Sequence, residues 1–180
     1  MSKVLGVFDG ALIVHAPHLV PERRESYERE LRRVGVESFE IVNAVESNEE
    51  LREHYNYIRP AHQNSVRALS VLLSIDKAIE KAQNRGFDSV LLMQDDVIFR
   101  DRFDMMWEAV VEEVLLTDWD MLFFYRWHSK PIREPYGRMR LVPIEHTLCS
   151  HCVGIKAAVF ENIGGYFNLQ SRLRRWRIRQ

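Results

Sequence analysis

Residues 89–99 read S-V-L-L-M-Q-D-D-V-I-F, and this stretch decides the fold. The run from Ser89 to Met93 is short and apolar without alternation. That is the pattern of a strand buried on both faces of an α/β sheet. It ends at two adjacent carboxylates, Asp95 and Asp96. Carboxylates cost free energy to bury unless a positive group compensates them. Two of them at a strand end also offer hard oxygen ligands to Mg²⁺ or Mn²⁺. Neighbouring strand residues point to opposite faces, so the pair need not share one ion.

The segments on either side alternate in type. Residues 64–83 carry Val66, Leu69, Leu72, Leu73, Ile75, Ile79 and Ala82 at helical spacing, and Asn84-Arg85-Gly86 supplies the stop. Further back, 10–16 reads as a buried strand, 22–34 as a helix stopped by Gly35, and 38–43 as a second strand. Residues 48–60 read as helix then loop. Beyond the aspartates, 103–116 reads as an amphipathic helix and 119–125 as an apolar strand. Residues 139–144 are expected to be a strand, and 156–163 a short helix. Strands alternating with helices predict an α/β fold, a mostly parallel sheet with helices on both faces. In such sheets the ligand crevice lies beyond the carboxyl ends of the strands, where Asp95 and Asp96 fall.

Composition narrows the class of protein. The chain has 180 residues, 46% hydrophobic and 28% charged, with a net charge of −1. These values predict one globular domain over 1–170, followed by the basic tail S-R-L-R-R-W-R-I-R-Q at 171–180. Without a basic excess, no nucleic-acid partner is expected. Two cysteines, Cys149 and Cys152, give no disulfide framework, so a cytoplasmic setting is expected. The opening segment M-S-K-V-L-G-V-F-D-G is too interrupted to read as a signal peptide or membrane span. The tail, basic with one Trp, reads either as a peripheral contact with an anionic membrane surface or as a solvated end.

In 64–99 the apolar helix N-S-V-R-A-L-S-V-L-L-S-I-D-K-A-I-E-K-A is followed by G-F-D-S-V-L-L-M-Q-D-D-V-I-F, and together they resemble glycosyltransferase family 25. That family includes the lipopolysaccharide-type and procollagen galactosyltransferases. Other segments resemble it in the same order: I-V-H-A-P with P-E-R-R-E-S-Y-E-R-E-L and G-V (13–36), F-E-I-V-N-A-V-E-S (39–47), D-W-D-M-L-F-F-Y (118–125) and S-H-C-V-G-I-K-A-A-V-F (150–160). The resemblance spans residues 11–163. It implies a GT-A fold, a nucleotide-sugar donor, usually a UDP-hexose, and a divalent cation. It implies Asp96 as metal ligand, with Asp95 assisting through the ribose or a metal-bound water. Gln94 stands where the family has Glu, Val71 where it has His, and Val153 where it has Tyr.

Several further residues carry chemistry. His15 closes the first strand at the same sheet edge. Arg23 and Arg24 follow the next loop, and Arg binds phosphate bidentately, so these residues are candidate contacts for a nucleotide or its diphosphate. His151 is a third candidate metal or diphosphate contact. His146, Cys149, His151 and Cys152 together raise a zinc site, although the paired spacing of zinc motifs is absent. An inverting transferase needs a base for the acceptor hydroxyl proton, and Asp120 is the candidate, with Asp118 and Glu145 as alternatives. Trp127, His128 and Tyr136 read either as an acceptor loop or as incidental surface aromatics.

The expected function is metal-dependent transfer of a hexose to a saccharide or other hydroxyl acceptor. One alternative is a nucleotide- or sugar-binding domain that has lost catalysis. Another is a metal-dependent nucleotidyl or phosphoryl transferase, disfavoured because no G-x-x-x-x-G-K-[ST] loop occurs.

Overall fold

The computed structural model describes residues 5–18, 20–58, 65–124, 130–131, 144–146 and 151–160. Its centre is a five-stranded open sheet built from β1 (Gly10–His15), β2 (Glu40–Asn43), β3 (Ser89–Gln94), β4 (Met121–Phe123) and β7 (Cys152–Lys156). The strand order is β2-β1-β3-β7-β4. β1 pairs parallel with β2 and with β3, while β7 runs antiparallel between β3 and β4. Four strands therefore point one way and β7 the other, a mixed sheet of the α/β class. Two short strands, β5 (Lys130–Pro131) and β6 (Ile144–His146), form a separate ribbon.

Alternation along each strand makes two cores. Ala11, Ile13, Leu91, Met93 and Cys152 face α1 (Arg23–Arg33) and α4 (Phe103–Leu116), where Tyr27, Leu31, Trp107 and Val114 cover them. Leu12, Val42, Val90, Leu92, Val153 and Ile155 face the opposite side, where Ala78, Ile79 and Ala82 of α3 (Ser65–Arg85) pack. Helices thus cover both faces, and α3 lies over β1 and β2. The remaining helix, α2 (Glu49–Ile58), starts on an Asn48 side-chain cap to the Leu51 N–H, 2.9 Å. No helix among the described residues is long and apolar enough to cross a membrane.

The start of one expected element shifts. The helix expected over 156–163 starts later: Lys156 ends β7, Ala157–Val159 makes a short 3₁₀ turn, and Phe160 is α-helical. Residues 161–163 lie outside the described residues. Gly154 lies at the middle of β7. A Cβ on it would stand 2.4 Å from the Phe8 ring, so the ring packs directly on the β7 backbone. The strand expected over 139–144 lies outside the described residues apart from Ile144. The basic segment 171–180 and the residues Trp127, His128 and Tyr136 also lie outside them.

Candidate functional site

The sheet turns in opposite directions from β1. The crossover through α1 goes to β2 on one side, while β3 flanks β1 on the other. The gap between the carboxyl ends of β1 and β3 is therefore a topological switch point, where open α/β sheets bind ligands. Three residues meet there. Asp95 follows β3 and donates its N–H to the Val14 carbonyl, 3.1 Å, which extends the strand pairing by one step. His15 ends β1, and Arg23 opens α1.

Asp95 is turned inward and is 8% exposed. Its Oδ2 lies 2.8 Å from His15 Nδ1 and accepts the Ala16 N–H at 3.1 Å. Its Oδ1 accepts Arg23 Nη1 at 3.1 Å. Burial alone would raise this carboxyl. The Ala16 N–H, His15 and Arg23 outweigh it, so the group is held below its ordinary value of 3.8. The carboxylate thereby folds the β1–α1 loop back onto β3. The His15 ring also stacks edge-on against Tyr27, 5.4 Å between centroids. Tyr27 Oη is buried with no hydrogen-bond partner.

Asp96 faces the other way. It is 41% exposed, and its Oδ1 lies 3.3 Å from Nδ1 of His151, itself 50% exposed. The backbone makes this meeting. His151 immediately precedes β7, and its carbonyl accepts the Gln94 N–H at 3.0 Å. The antiparallel β7 therefore starts at the carboxyl edge of β3 and carries a late-chain imidazole to the second aspartate.

The sequence candidates separate into three groups. His15, Arg23 and Asp95 form one cluster, and Asp96 and His151 an outward pair beside it. Asp120 is not at this site. It directly precedes β4, and its carbonyl accepts the N–H of Lys156, the residue paired with Ser89 at the start of β3. A residue that opens a parallel strand lies at the amino edge of the sheet, and β3 spans roughly 17 Å at about 3.3 Å per residue. Asp120 is thus on the far edge from Asp96 and cannot serve as the base there. Asp118 is on that edge too, 3.3 Å from Lys156 Nζ. Arg24 pairs with Glu28 on the α1 surface at 2.9 Å. Cys152 is buried in the core, away from exposed His151, which removes it from a zinc set. Cys149 and the side chains of Glu145 and His146 lie outside the described residues.

One more feature of this edge was missed in the sequence. Val45, just past β2, is held by two serines of α3: its N–H donates to Ser74 Oγ at 2.9 Å, and its carbonyl accepts from Ser70 Oγ. The signal for it is two hydroxyls four residues apart on one helix face.

As a metal centre the described residues offer few donors. No group of three or more His, Cys, Asp or Glu stands together among them. Asp96 and His151 are the outward oxygen and nitrogen. Of the two, the carboxylate is the kind of ligand that Mg²⁺ and Mn²⁺ take. Comparison of the chain with protein-family models and with curated proteins returns no match.

Proposed function

We propose that the chain is a GT-A-like glycosyltransferase of the family 25 type. It would take a hexose from a nucleotide-diphosphate sugar, a UDP-sugar first among them, to a hydroxyl acceptor such as a saccharide, with Mn²⁺ or Mg²⁺. The observation that carries this is the exposed Asp96–His151 pair beside the switch point, 3.3 Å apart. Support also comes from the order of the family-like segments along 11–163. When bound, the cation supplies charge neutralisation for the departing nucleoside diphosphate. Asp96 and His151 would hold it from the protein side. Arg23, 43% exposed at the same edge while one Nη is anchored on Asp95, supplies a positioned guanidinium for the diphosphate. His15 and Asp95 keep that loop in place.

A second function, nucleotide-sugar binding without turnover, is favoured by the placement of Asp120 on the far edge and by Gln94 and Val71 in place of Glu and His.

Calorimetric titration of UDP with and without Mn²⁺, on the wild type and on Asp96→Asn, tests the site. We expect Mn²⁺-dependent binding that weakens by at least about tenfold in the variant. Absence of UDP binding by the wild type sinks the proposal. Release of UDP from a donor sugar separates transfer from binding alone, and release of pyrophosphate indicates a nucleotidyltransferase.

A further inference from the structure

α4 carries apolar residues on both sides, where a surface helix needs them on one. Phe103, Trp107, Val110 and Val114, four, three and four residues apart, turn into the core. Met105, Ala109, Glu112 and Leu116 repeat the same spacing on the outward side. Leu115 and Leu116 at the end of the helix are 63% and 88% exposed, and Met105 and Met106 near its start are exposed too. Of the seven exposed large hydrophobic residues among the described ones, five lie between 105 and 121, so they form a patch rather than a scatter.

The patch is also acidic. Residues 101–120 hold seven acids, and Arg102 is their one basic residue. α1 neutralises its own glutamates from within: Arg24 and Arg32 pair with Glu28, and Arg33 with Glu30. α4 has no basic residue with which to do the same, and none in its last turn. Glu112 and Glu113 stand near the carbonyl end of the helix, where a cation is the stabilising partner. Just beyond come Asp118 and Asp120. Lys156 reaches Asp118 at 3.3 Å and lies over the Trp119 ring at 4.9 Å. The face therefore suits a partner that is both cationic and apolar.

We propose that this outward face of α4 seats the chain's own basic segment 171–180. That segment reads S-R-L-R-R-W-R-I-R-Q, five arginines and no acid, with Leu173, Trp176 and Ile178 set among them. It holds five of the chain's 25 basic residues, so the other 170 residues carry 20 basic against 26 acidic. The charge that balances the rest of the molecule is thus concentrated in ten residues, mixed with apolar groups as the face is. The path allows the meeting. The Lys156 N–H donates to the Asp120 carbonyl, so the chain leaves β7 at the sheet edge where α4 ends. The twelve residues from Phe160 to Arg172 reach up to about 40 Å, and α4 is about 21 Å long. Leu173, Trp176 and Ile178 cover the exposed leucines and methionines, and the arginines meet Glu112 and the acids beside it. Seated there, the arginines are withheld from an anionic membrane. The inference is independent of the proposed activity.

Trypsin, which cuts after arginine, tests this on the full chain, with a free peptide of residues 161–180 as the unprotected reference. Mass spectrometry follows cutting after Arg174, Arg175 and Arg177. The wild-type segment should be cut at least about fivefold more slowly than the peptide, because cleavage tracks the released fraction. Glu112→Gln/Leu115→Gln/Leu116→Gln changes only outward side chains, and Gln is a good helix former, so α4 survives. In that variant the segment should be cut at the peptide's rate. A second variant, Arg174→Gln/Arg175→Gln/Arg177→Gln, leaves α4 untouched, and hydrogen exchange at the Leu115 and Leu116 amides should quicken in it. Wild-type cutting at the peptide's rate overturns the inference. So does a face variant that stays protected, or unchanged exchange in the arginine variant. Protection that appears only as protein concentration rises also overturns it, by placing a second copy on the face. Protection only with phosphatidylserine vesicles overturns it by placing the segment on lipid.

Discussion

Asp95 and Asp96 share a peptide bond and little else. The first gives both carboxylate oxygens to the β1–α1 loop, and the second faces solvent and His151. This sets a sign for acid sensitivity. Asp95 is held below its ordinary value, so its stabilisation is fully present above pH 3.8 and is lost as pH falls through the lower folded value. Asp95→Asn places an amide N–H₂ against the donors of Arg23 or His15. We expect a loss of about 2–3 kcal/mol at pH 7, the scale of hydrogen bonds to a charged group. The difference from wild type should shrink from about pH 4 downward, because the unfolded chain binds the Asp95 proton first. Denaturant titrations of both proteins at pH 7 and pH 3 check this. An equal gap at both values would mean that the loss is steric rather than ionic.

At the scale of elements, much was legible because packing writes a periodic signal. The buried strands β1 and β3 and the apolar faces of α1, α3 and α4 were readable from spacing alone. β7 was not, because Gly154 interrupts its apolar run and its partners lie some 60 residues back in β3. The polar contacts of α3 with Val45 leave no apolar period, so the spacing that marks the helix does not mark them. The position of Asp120 was available in principle. A residue that opens a parallel strand sits at the amino edge, away from a ligand crevice at the carboxyl ends. His151 and Asp96 were both named from sequence, yet only the antiparallel β7 brings them to one edge. One local feature has no sequence signature at all. Arg102, at the N-cap of α4, has φ 59 and ψ 28. A left-handed backbone costs a side-chain-bearing residue roughly 1–2 kcal/mol, and Gly adopts it freely. Arg102→Gly should therefore leave stability unchanged or raise it by up to about 1 kcal/mol, since the gain is offset by the freer unfolded chain. A loss above that size in a denaturant titration would show that the Arg102 side chain contributes contacts that outweigh its backbone strain.

For the whole molecule the position of the site decides how a ligand acts on stability. The clasp at the switch point joins residues 80 apart in sequence, and the helices on both faces pack onto the same strands. A ligand between β1 and β3 therefore cannot be retained while either half of the sheet opens, so binding must report on global unfolding. At a free concentration of 100 times Kd, a ligand specific to the folded state adds about 2.7 kcal/mol. For a chain of this size each kcal/mol moves Tm by about 2–4 °C, so UDP with Mn²⁺ should raise Tm by roughly 5–11 °C. Asp96 is exposed and its loss leaves the clasp intact. Asp96→Asn should accordingly match the wild-type Tm without ligand and lose most of the rise with it. The same experiment on Asp95→Asn should show the reverse order, a lower Tm without ligand and a rise on adding it. Differential scanning calorimetry of the three proteins, with and without UDP and Mn²⁺, gives all six values. If Asp95→Asn keeps the wild-type Tm but loses the ligand-induced rise, the roles of the two aspartates are exchanged and Asp95 turns outward to the cation when ligand binds.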